Sequence, residues 1–164
     1  MSREWGPGPV LLRALTYAAV FVGIVLVLLP ARILARAGVA RPEAVGPGQV
    51  VGAVLVVVGA ALALWCVLAF AFDPPRRLVR RGPYRVVRNP MYLGAILALA
   101  GASLFFRSLV LFAFAIAFAG VTHAFVVLYE EPTLRGLFGE EYEDYRRQVR
   151  RWFPIPGARA ASDA

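Results

Sequence analysis

The chain has 164 residues, of which 60% are hydrophobic, and a formal net charge of +8. An ordinary soluble domain is roughly 45–50% apolar, so the composition argues against a soluble fold, and the length allows one domain (residues 1–164) but not two. All 18 cationic residues are arginine, and they flank apolar runs, which points to membrane topology and anionic headgroups and away from a nucleic-acid partner.

Four apolar runs follow one another: Val10–Leu29, Gln49–Phe72, Met91–Phe106 and Ser108–Tyr129. A helix needs about 20 mostly apolar residues to cross about 30 Å of hydrocarbon. The first run carries Arg13 near one end, where a long side chain snorkels to the interface. It exceeds the roughly 7–15 residues of a signal-peptide core and is read as a span. Cys66 in the second run is the lone cysteine, which excludes an intrachain disulfide and a cysteine-cluster metal site; no metal is expected. The third run has only 16 residues and is followed by Arg107-Ser108, so the third and fourth runs form a tight helical hairpin.

Thirteen arginines lie in 1–9, 73–90 and 130–164, against four in 30–48 and at Arg107. The positive-inside rule then places both termini and the 73–90 loop in the cytoplasm. The expected fold is all-α: a polytopic protein of the cell (inner) membrane with four transmembrane helices. Lysine is absent while Ala, Arg, Gly and Val abound, a composition typical of a GC-rich bacterial genome. The tail Glu140–Trp152, EEYEDYRRQVRRW, places acids first and arginines last, as the helix dipole favours. Tyr142, Tyr145, Val149 and Trp152 form a helical stripe. The reading is a C-terminal amphipathic interfacial helix, with packing on its own protein an equal alternative.

Three places offer chemistry. Asn89-Pro90 is a helix start, with Asn89 as N-cap and Pro90 at the first helical position. Tyr84, Arg85, Arg88 and Tyr92 surround that positive helix end, which makes it an anion site. Glu130-Glu131-Pro132 closes the fourth run. Pro132 requires the helix to end or kink there, and neighbouring helical residues point about 100° apart, so one acid faces inward and forms a site for a cationic group. His123 lies seven residues before Glu130, on much the same face; it is either an intramembrane functional group or a histidine bonded to a neighbouring helix.

Arg77-Leu78-Val79 ahead of Gly82-Pro83-Tyr84, then Arg88-Asn89-Pro90-Met91-Tyr92-Leu93-Gly94, then Glu130-Glu131, Leu134, Phe138-Gly139, Tyr142 and Tyr145 resemble the isoprenylcysteine carboxyl methyltransferase family, relatives of the membrane phospholipid methyltransferases. The resemblance covers about 70–154. It implies an integral membrane enzyme that uses S-adenosylmethionine as methyl donor. The cofactor site it implies comprises Arg76, Arg77, Leu78, Val79, Tyr84, Arg88, Asn89, Pro90, Met91, Tyr92 and Glu130. The family commonly has His-Pro where Asn89-Pro90 stands, and often a histidine at Arg76. The carboxyl methyltransferases also carry a substrate-contacting arginine where this chain has Val126, so prenyl-protein methylation is not expected. The acceptor is read as a lipophilic small molecule, with Glu131 and His123 the candidate bases and membrane lipids the surrounding partners; no obligate protein partner is evident. The alternatives are a small proton-coupled transporter and a non-catalytic lipid-binding protein of the same fold.

Overall fold

The computed structural model describes residues 23–71 and 78–154, and among them every regular element is helical. A π-helical stretch, Gly23–Leu28, leads into α1 (Leu29–Arg36). Most of the expected first span, Val10–Leu29, lies outside the described residues, and the helix that ends it runs on to Arg36. The remaining helices are α2 (Pro47–Ala71), α3 (Pro90–Phe105), α4 (Leu109–Phe125), α5 (Glu131–Phe138) and α6 (Glu140–Gln148).

Pro47 supplies the pre-set φ that suits a first helical turn. Two residues on, Gln49 reaches back so that its Oε1 accepts from the Gly46 N–H at 3.0 Å, one half of a capping box. α2 has 25 residues in all. Its main neighbour is α3, and the two backbones touch at paired glycines. A Cβ on Gly52 would sit 2.6 Å from the Gly101 carbonyl oxygen, and one on Gly59 would sit 2.4 Å from that of Gly94. Lipid tails are as apolar as leucine, so close packing between small residues, not water exclusion, holds such helices together.

The outer faces remain apolar. Val50, Val54, Val57 and Leu64 on α2, and Leu109, Phe112, Ile116 and Val121 on α4, are exposed. Two stretches are long and apolar enough to cross a bilayer, 47–69 and 109–138, and only 22% of an 18-residue apolar segment in each is buried within the protein. A helix that is apolar all round and unburied is solvated by lipid. The short third run is a helix of 16 residues. It turns at Arg107, whose φ is +49°, and Ser108 caps α4 by accepting from the Leu111 N–H at 3.2 Å. The expected hairpin is therefore present.

At Pro132 the expected break takes the form of an irregular turn. The helix does not end at the acids. A π-helical turn, Val126–Glu130, joins α4 to α5, with the Glu131 N–H bonded to the Val126 carbonyl. Proline lacks an N–H and its ring clashes with the carbonyl four residues back; the wider π turn relieves both. The first π stretch does the same for Pro30, which likewise stands two residues after the last residue of its π segment.

The tail differs as well. α6 stops at Gln148, and Val149 is extended. Residues beyond it pair with the loop before α3, through a parallel bridge between Val87 and Arg150. The stripe Tyr142, Tyr145 and Val149 is buried against Leu78, Leu134 and Phe138. The apolar face of α6 is thus used on the protein itself and not on lipid, and Trp152 does not belong to the helical stripe.

The glycine pairs generate a stability prediction. Gly52→Ala or Gly59→Ala should destabilise the protein in detergent by about 1–3 kcal/mol, because the backbones must separate. Gly120 has open space around a Cβ, so Gly120→Ala should be neutral or gain up to about 1 kcal/mol from helix propensity. Thermal unfolding in micelles compares the three.

Candidate active site

The loop before α3 starts its turn at Gly82, whose φ of +53° suits glycine and whose missing side chain lets Trp65 approach. A 3₁₀ turn, Gly82–Arg85, carries Tyr84, which is hydrogen-bonded to buried Cys66. At Asn89 the expected cap is only half realised. Its carbonyl accepts from the Leu93 N–H at 3.1 Å, but no side-chain cap closes the helix start. Nδ2 instead donates to the Arg151 carbonyl at 3.3 Å. The first turn of α3 keeps its backbone N–H groups directed out of the helix end, as an anion site requires.

A cavity of about 340 Å³ opens at this helix end, within the roughly 300–1,000 Å³ of small-molecule sites. Tyr84, Arg88 and Asn89 line it from the loop, and Pro90, Met91 and Tyr92 from the first turn of α3. Glu130 closes it from the π turn, so two segments 38 residues apart meet where the Tyr92 hydroxyl donates to Glu130 Oε2 at 3.2 Å. Of the other expected site residues, Leu78 packs under the tail, Val79 is half-buried outside the cavity, and Arg76 and Arg77 lie outside the described residues. Phe125, Tyr129, Thr133 and Leu134 also line the cavity and were not anticipated. Phe125, Tyr129 and Thr133 recur every four residues, but the π turn between them changes which residues share a face, so the sequence spacing alone did not place them on the cavity wall.

The two acids have different environments. Glu131 is only 5% exposed, and the Arg151 fork donates to both of its oxygens, Nε to Oε1 at 2.7 Å and Nη2 to Oε2 at 3.0 Å. Arg88 adds a third cationic donor 3.3 Å from Oε1. A base needs a free lone pair within reach of a substrate proton, and Glu131, held this way and absent from the cavity wall, is not that group. Glu131 is thus both paired with arginines and buried. Glu130 is half-buried and forms no ion pair among the described residues, so the cavity has one carboxylate without a cation.

His123 does not reach the cavity. The π turn lies between it and Glu130 and rotates the later residues away from the face they would share in a plain α-helix. His123 is exposed and accepts at Nδ1 from Trp152 Nε1 at 3.0 Å, so it serves as an anchor for the tail. Val126 is 1% exposed and does not line the cavity.

The tail supports the loop wall. Tyr145 donates its hydroxyl to the Tyr84 carbonyl at 2.7 Å, Arg88 donates to the Tyr142 hydroxyl at 3.3 Å, and Arg80 donates to the Glu141 carbonyl while stacking over the Tyr145 ring at 5.6 Å. Burial pushes the Tyr84 phenol well above its usual range, with Cys66 and Glu130 adding to the effect. Burial raises Tyr145 likewise. Both therefore stay protonated donors at neutral pH.

These motifs, in this order and around one cavity, coincide with a family model for phospholipid methyltransferases that matches residues 47–141. The chain belongs to that family. The match takes in all of α2, which the sequence motifs had not covered, and the family is one of membrane methyltransferases. The chain is also similar to a nickel-cobalt-cadmium resistance protein, NccN, of Alcaligenes xylosoxydans xylosoxydans, with 33% identity over 92 residues; the match covers 56% of this chain and 42% of that protein. The chain thus matches less than half the length of this relative. No solved structure matches.

The tail contacts predict a graded effect. Tyr145→Phe removes one hydrogen bond and should cost about 0.5–1.5 kcal/mol. Tyr145→Ser also removes the buried ring and should cost about 3–5 kcal/mol. Equal effects on the unfolding midpoint would mean that the ring contributes nothing to holding the loop.

Proposed function

We propose that this protein is an integral membrane methyltransferase that takes its methyl group from S-adenosylmethionine and passes it to a lipophilic acceptor. Membership of the family supports the reaction class. The observation that supports the cofactor is the distribution of charge around the cavity. Glu130 lacks a cationic partner among the described residues, and Arg88 and the uncapped start of α3 line the same cavity.

S-adenosylmethionine carries a carboxylate, an ammonium and a sulfonium, and when bound it supplies an electrophilic methyl group. The residues present fit such a ligand. Glu130 would take the cationic amino end, and Arg88 with the α3 amides would take the carboxylate. Tyr84 and Tyr92 add hydroxyls, while Phe125, Tyr129 and Leu134 provide apolar cover. With Glu131 clamped and His123 outside the cavity, the protein's own contribution is to bind, orient and exclude water. The acceptor must then react without a strong base from Glu131 or His123.

The wider membrane reading belongs to the same proposal: four spans in the cell membrane with both termini and the 73–90 loop cytoplasmic. The loop before α3 and helices α5 and α6 bring their arginines to one end of the bundle, while Arg107 lies at the hairpin tip. Single cysteines at Ser2, Arg80 and Ser162, in a Cys66→Ala background, should resist an impermeant thiol reagent in intact cells. External labelling of Arg80→Cys would invert the arrangement.

Equilibrium binding of S-adenosylmethionine to the purified protein in detergent tests the cofactor directly. Glu130→Gln should weaken it about 10- to 150-fold, the equivalent of a lost charge-assisted hydrogen bond of roughly 1.5–3 kcal/mol. Glu131→Gln removes the same charge one residue away and should leave binding far less affected. No binding by the wild type, or equal losses in the two variants, would sink the assignment of Glu130.

A further inference from the structure

Arg88 stands between two demands. It is the cationic side chain of the cavity wall, yet it also lies 3.3 Å from Glu131 and 3.3 Å from the Tyr142 hydroxyl. Both contacts are long for a charged donor, whose bonds to carboxylates are typically about 2.7–2.9 Å. Its side chain is 9% exposed, and its buried Nε has no hydrogen-bond partner among the described residues. A buried guanidinium with an unspent donor is costly unless something else completes it.

Glu131 explains why Arg88 is held so loosely. The Arg151 fork already serves both carboxylate oxygens at 2.7 and 3.0 Å. Arg151 is itself fixed by the strap that follows α6. The Arg88 N–H donates to the Arg150 carbonyl at 2.8 Å, Asn89 Nδ2 donates to the Arg151 carbonyl, and Trp152 is tied to His123. Residues 149–152 thus bind the start of α3, the acid after the π turn and the side of α4 together.

We propose that Arg151 is a positioning residue: by neutralising Glu131 it keeps Arg88 from closing onto that acid, and so leaves the Arg88 guanidinium free for an anionic group of the ligand in the cavity. This rests on the reading of the cavity as the S-adenosylmethionine site. Without Arg151 the buried Glu131 carboxylate would be left with Arg88 as its one ion-pair partner among the described residues, Arg146 acting only at longer range. Arg88 would then form the bidentate pair itself and withdraw from the ligand.

A merely structural tie would act on any ligand alike, whereas this arrangement acts only on the anionic end. The probes are therefore S-adenosylmethionine and its decarboxylated analogue, which keeps the ammonium and the sulfonium but lacks the carboxylate, measured by equilibrium binding to full-length protein in detergent. Arg151→Gln should weaken S-adenosylmethionine about tenfold or more and change the analogue by less than about twofold. Arg151→Lys, which keeps the charge but not the fork, should show a smaller loss with the same selectivity. Adding Glu131→Gln to Arg151→Gln removes the acid that captures Arg88 and should restore most of the affinity. Equal losses for the two ligands, or no recovery in the double variant, would reduce Arg151 to a structural tie. If wild-type protein binds neither ligand, the cofactor reading itself fails, a result distinct from either of these.

Discussion

The path of the helix through Pro132 governs the site. A proline one residue after two acids would ordinarily end or kink a helix, leaving both carboxylates at a frayed and hydrated rim. The π turn Val126–Glu130 instead carries the chain through to Phe138, and the wider turn re-aims each residue after it. Glu130 lines the cavity and Glu131 enters a cluster of arginines. Adjacent residues of the same type thus acquire separate roles, through the backbone path and through the arginines that one of them meets. The same continuation places Thr133 and Leu134 on the cavity wall, and the Thr133 hydroxyl donates to the Tyr129 carbonyl at 2.7 Å.

The second constraint is the close contact of α2 and α3. Glycines at 52 and 59 meet glycines at 101 and 94, and this fixes where the first turn of α3 stands. The site needs that rigidity because Pro90, Met91 and Tyr92 of α3 line the cavity. The Gly82 loop is seated on Trp65 and Cys66 of α2, so the loop, α2 and α3 position one another. Aromatic residues of α6 press on the same loop from outside.

The arginine–glutamate cluster is better understood as specifying than as stabilising. Burying ions costs desolvation that the pairing barely repays, whereas removing one partner typically costs about 3–5 kcal/mol. Glu131, Arg151 and Arg88 therefore hold the tail in one place without adding much to the net stability of the fold. That is a suitable use for a segment which bridges the start of α3, the π turn and α4. The likeness to a metal-resistance protein covers less than half of that protein, and no group of three or more metal-ligating side chains occurs among the described residues.

The sequence by itself determined the composition-driven features: apolar helices, the hairpin at Arg107-Ser108, the arginine asymmetry and the motifs around Asn89-Pro90 and Glu130-Glu131. These depend on hydrophobicity, local turn chemistry and short spacing, which are written residue by residue. It also brought Tyr84, Arg88, Tyr92 and Glu130 under suspicion, and the cavity unites them. Only the tertiary structure decided which acid was free, because that depends on Arg151, 20 residues away from Glu131. It alone showed that Asn89 turns its side chain to the tail and that His123 anchors Trp152. It also settled that the Tyr142–Val149 stripe packs on protein, since an amphipathic face is equally satisfied by lipid or by its own chain and only its neighbours distinguish the two.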